Sequence, residues 1–111
     1  MQQLWCDGAL RTENLMVCRS WWQQLVGRHA YPLNWMGVVM LPTSVGVHTF
    51  LMRIPMTGVW LSASFVSLGS VSLRPNKVYL APEGSVGILE TSGDALAAIR
   101  EGAQLSIRAV L

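Results

Sequence analysis

Apolar residues come in short runs broken by proline or glycine every eight to twelve residues, a rhythm that predicts many short strands rather than long helices. The predicted strands cover residues 15–19, 36–41, 48–53, 59–62, 65–73, 77–80, 86–90 and 104–110. In the last of these, Leu105, Ile107 and Ala109 alternate with Gln104, Ser106 and Arg108, so one face of the strand is expected to be buried. Turn chemistry separates the runs, as in Arg74-Pro75-Asn76 and Pro82-Glu83-Gly84. Two segments read as helix. Ser20 with Gln23 fits a capping box ahead of WWQQLVG, which Gly27 ends. Residues 93–101 follow Ser92 as a cap. Asp94 suits the positive N-terminal end, Arg100 the negative end, and Gly102 the left-handed residue beyond it. Leu96 and Ile99 would then face the sheet. The expected fold is mainly β, a compact β-sandwich or barrel-like domain with two short α-helices, and residues 1–111 form a single domain.

Composition sharpens this picture in one respect. Charged residues make up 13% of the chain, about half of a typical share near 25%. Some apolar surface should therefore stay exposed or be covered by a partner. Residues 36–41, MGVVML, carry no charge. Such a strand must lie centrally in a sheet, or pair at an edge with a second copy, and a homodimer is the expectation drawn from it. Eight basic and six acidic residues are scattered, which leaves no footprint for nucleic acid. No stretch reaches the roughly 20 apolar residues of a transmembrane segment. The opening MQQLWCDGALRTEN has neither a basic region nor a long apolar core, so no signal peptide is read there. A cytoplasmic location is expected by default, and a periplasmic one if the chain has been trimmed. Cys6 and Cys18 lie too far apart for a CxxC motif and read as ordinary thiols. A disulfide between them would need an oxidising compartment.

The chemistry concentrates in VHTFLMRIP, residues 47–55. On a continuous strand His48, Phe50 and Met52 would share one face, with Thr49, Leu51 and Arg53 on the other. His48 and Arg53 would then not converge on one atom without a bulge. His48, Thr49 and Arg53 are candidate binding residues. A structural His48 is the simpler reading, and for Arg53 it is an ion pair with Glu90, the lone acid of a neighbouring apolar strand. The chain has five tryptophans. Trp22 and Trp60 read as core, whereas Trp21 must point away from its neighbour and is the candidate exposed aromatic. No phosphate-binding loop or nucleophile elbow occurs, and no catalytic residue, metal site or cofactor is expected.

Several segments together resemble the domain of unknown function family 192. They are Trp22, Leu25, Gly27 and Arg28; Val47, His48, Thr49, Phe50, Met52, Arg53 and Pro55; and Leu89, Glu90, Gly93 and Gly102. The resemblance runs roughly over residues 15–110 and is densest in VHTFLMRIP. It implies a bacterial protein with a compact, mainly β fold of the sandwich type, structural roles for Gly93 and Gly102, and no established activity. This chain departs from the pattern at Met56-Thr57, at Ser62 with its Ser62-Ala63-Ser64 turn, and at Gly102-Ala103, where the family carries aspartates. The function expected is a non-enzymatic binding or protein-interaction module with an aromatic or apolar surface, taking a protein partner or small ligand. The alternative is a small hydrolase- or lyase-like enzyme with His48 as base and Arg53 as anion anchor.

Overall fold

The computed structural model describes residues 2–18, 36–50 and 52–109. Nine strands form in chain order: β1 (Gln2–Cys6), β2 (Ala9–Val17), β3 (Val38–Pro42), β4 (Gly46–His48), β5 (Met56–Ser62), β6 (Ser67–Leu73), β7 (Val78–Leu80), β8 (Ser85–Thr91) and β9 (Leu105–Ala109). Seven of them make one sheet in the order β6-β5-β8-β3-β2-β1-β9, and β4 pairs with β7 in a separate small sheet. Neighbours in the large sheet run antiparallel except β2 and β3, whose parallel register sets Leu15 beside Val38 and Val17 beside Met40. The two ends of the large sheet approach through a single bridge, Val66 to Gln104, supported by Leu105 N donating to Phe65 O at 2.8 Å. The sheets stay open, so the barrel-like alternative does not describe them.

Strand alternation divides the core in two. Residues Leu4, Leu15, Val38, Leu89, Val59 and Leu105 fall on one face of the large sheet and form one buried cluster. Met56, Trp60, Ile88 and Leu73 form a second on the opposite face, where Val47 and Tyr79 of the small sheet pack against them. Charge-free β3 lies between β2 and β8, with Val38 and Val39 both 0% exposed. Its apolar run is therefore accounted for by a central position, with no edge left to pair with a second copy.

Residues 92–102 depart from the expected helix. They form successive turns, among them Ala97 N to Asp94 O at 3.0 Å and Ala103 N to Arg100 O at 3.2 Å. Tertiary hydrogen bonds outcompete the helical ones here. Thr91 Oγ1 accepts from Gly93 N at 3.1 Å while donating to Gly37 O at 2.9 Å, and Gly102 N is drawn to Ser67 O at 2.8 Å. The amphipathic spacing survives without the helix: Leu96 and Ile99 are buried against the first cluster. Among the described residues there is no α-helix, and the other expected helix, residues 20–27, lies outside them. Ala98 sits at φ 59° inside the turns, a left-handed conformation costly for a side chain with a Cβ. Ala98→Gly should therefore raise stability by roughly 0.5–1 kcal/mol in urea titration. A loss would contradict this backbone.

Candidate functional site

The strand expected over residues 48–53 ends at His48. Thr49 stops it. Its backbone N donates to Lys77 O at 2.8 Å, and its carbonyl accepts from Asn76 N at 2.9 Å and Met52 N at 3.2 Å, which folds the following residues into a turn. Its hydroxyl donates to Arg74 O and accepts from Lys77 N at 2.9 Å. At 3% exposure, with the hydroxyl engaged on both sides, Thr49 clasps the loop before β5 to the turn before β7. Its hydroxyl is engaged within the fold rather than presented at the surface. The facing pattern expected from a continuous strand accordingly does not hold. His48 and Phe50 still come together through the turn, their rings stacked with centroids 5.0 Å apart.

The small sheet then divides by strand parity. In β4 and β7, Val47 and Tyr79 point to the core, while His48 pairs with Val78 and Gly46 with Leu80 on the outer side. Gly46 is required there, since a Cβ would stand 2.3 Å from Tyr79 O. The outer side carries Val78, 61% exposed, and Leu80, 78%; Phe50, stacked on His48, is 49% exposed, and Val45, just before β4, is 75% exposed. Four exposed apolar side chains on and beside one small sheet differ from the single exposed apolar residues normal on any surface. Arg53, Arg74 and Lys77 are exposed on the loop and turn that Thr49 joins, and none has an ion-pair partner among the described residues.

The expected ion pair between Arg53 and Glu90 is absent. Glu90 points to the second core, in register with Val39 on β3 and with Gly58 on β5, so its flanking neighbours are apolar or lack a side chain. It is buried, and burial pushes its carboxyl from the ordinary 4.5 up to about 7. Arg53 is exposed on the loop that follows the turn at Thr49, off the strand expected to carry it, whereas Glu90 is buried in the sheet. Burial, and then the Glu90 charge, push the Cys18 thiol up, which keeps it protonated and a poor nucleophile. Cys6 and Cys18 are both free and buried.

The His48 ring has no hydrogen-bond or ion-pair partner among the described residues, so no carboxylate among them orients it as a base. No three His, Cys, Asp or Glu side chains gather as a metal-binding group among them, and no helix there is long and apolar enough to cross a membrane. Trp60 is buried in the second core cluster. Trp5 donates from Nε1 to Gln3 Oε1 at 3.1 Å and lies under the Arg108 guanidinium, 4.1 Å from the ring centre. Trp21 and Trp22 lie outside the described residues. Gly102, at φ 90°, turns the chain into β9, and Gly93 packs against Met36, where a Cβ would come within 3.2 Å. The exposure of Val78 and Leu80 runs against the alternation in KVYL, which would bury those two, whereas the structure turns Tyr79 to the core.

A crystal structure of a protein of unknown function from Novosphingobium aromaticivorans DSM 12444 is similar to this chain. The TM-score is 0.72 at 13% identity, over 94% of this chain and 83% of that one, so the two share a fold. No family model matches the chain, and no curated protein matches it.

Proposed function

We propose that this protein is a non-enzymatic protein-interaction module, a diverged member of the domain of unknown function family 192, and that it binds through the outer face of the small β4–β7 sheet. The observation that carries this reading is the exposure of Phe50, Val78 and Leu80 on the small sheet and of Val45 beside it, with the His48 ring stacked on Phe50. The cations Arg53, Arg74 and Lys77 lie at its His48 end. The complementary partner is a protein segment with apolar side chains and an acidic flank. Five surface residues are too few for the roughly 20–30 per side of a standard interface. A short extended segment of the partner therefore fits better than a broad symmetric dimer contact. Among the described residues no carboxylate stands beside the His48 ring to orient it as a base, which favours the module over the enzyme alternative.

A displayed library of random peptides tests the reading, selected on the native protein and counter-selected on the Val78→Glu/Leu80→Glu double variant. Enriched sequences should carry two or more apolar residues near Asp or Glu. The double variant should melt close to the native protein, because surface changes of this kind shift stability by about 0.5 kcal/mol or less. Enrichment blind to charge, or equal on both proteins, would count against it.

A further inference from the structure

The large sheet carries, on the face of the first core cluster, a cleft of about 550 Å³ that the proposed interaction surface does not use. Its floor comes from inward positions of four strands: Gln2 of β1, Val17 of β2, Met40 of β3 and Ile107 of β9. Its rim is the turn after β5, with Phe65, and the start of β9, with Gln104. Three features make it more than a surface depression. First, among the described residues the lining contains no ionisable side chain, which suits a neutral molecule, and its volume lies within the range of about 300–1,000 Å³ typical of small-molecule sites. Second, Gln2 Oε1 is buried and accepts no hydrogen bond among the described residues. An amide oxygen left so is costly unless a donor reaches it. Third, Phe65 holds φ 61°, unusual for a bulky residue. Its carbonyl is pinned by Leu105 N at 2.8 Å and Gln104 Nε2 at 3.3 Å, while the side chain remains 36% exposed at the rim. Strain of this kind gathers at ligand clamps.

We propose that this cleft binds a neutral small molecule with an apolar, ring-sized body and one hydroxyl or amide donor, the body against Phe65 and the donor on Gln2 Oε1. Three probes of one shape separate these requirements: 2-naphthol, which has a donor; 2-methoxynaphthalene, which has none; and 2-naphthoate, which is an anion. Titration followed by NMR should shift the Phe65 ring and the methyls of Met40 and Ile107. The alcohol should bind about five-fold tighter than the ether, as one net hydrogen bond requires, and the anion more weakly than either. Gln2→Met should abolish the difference between alcohol and ether. Phe65→Gly relieves the backbone, so the protein should stay folded while both neutral probes weaken about ten-fold, the effect of losing an aromatic contact. Equal affinities of alcohol and ether for the native protein would mean that the amide oxygen is served by water, and would overturn the proposal. Shifts confined to Phe50, Val78 and Leu80 would overturn it as well, while leaving the interaction surface standing.

Discussion

At pH 8, Glu90→Gln should be more stable than the native protein by about 3 kcal/mol, and at pH 4 the two should be nearly equal. The sign follows from the proton count in each state. In the folded protein Glu90 keeps its proton up to about pH 7, whereas in the unfolded chain it loses it around the ordinary value of 4.5. Between those values the unfolded state is favoured progressively, so stability falls as pH rises through the window and levels off above it. A displacement of that size is worth about 3 kcal/mol. Glutamine keeps the shape without the ionisation, so the difference between variant and native protein should grow from pH 4.5 to 7 and then hold. Denaturant titrations at several pH values decide it. A constant difference across the range would mean that the carboxylate is stabilised by a partner in the folded state.

Thr49→Val should destabilise the fold by about 2–4 kcal/mol, although the side chain keeps its volume. The hydroxyl donates to Arg74 O and accepts from Lys77 N at 2.9 Å, in a site only 3% exposed. Removing it breaks two hydrogen bonds and leaves both backbone groups wanting partners. The loss should be local first: the Lys77 amide should exchange with solvent faster, as should Asn76, whose N donates to Thr49 O. Thr49→Ser should restore most of the stability. Unchanged melting with unchanged exchange at those amides would remove the clasp from the account.

The same clasp explains where sequence reading succeeds and stops. Periodicity two identified most strands, because in a sheet buried on one or both faces the apolar positions must follow the pleat. It could not see that Thr49 would trade strand pairing for the Arg74–Lys77 turn, since those partners are 25 and 28 residues away. The strand β1 was missed because QQLWC, with inward Gln2, Leu4 and Cys6, looks polar at one of its core-facing positions. That same glutamine carries the buried acceptor of the cleft that has no partner among the described residues. Residues 92–102 have helical composition, but the pull of Ser67 and Thr91 on their backbone is a tertiary effect that propensity does not contain. The proposed interaction surface is half legible in the sequence. His48, Phe50 and Arg53 stood out in VHTFLMRIP, while the two residues that complete the apolar face arrive from β7, across the small sheet.

The measurement that bears most directly on the interaction surface is amide and methyl NMR of the native protein titrated with an enriched peptide carrying apolar residues and an acidic flank. Shifts should gather on Val45, His48, Phe50, Val78 and Leu80, and the affinity should fall as salt screens Arg53, Arg74 and Lys77. Shifts centred elsewhere, with the methyls of Val78 and Leu80 unmoved at saturation, would contradict the account.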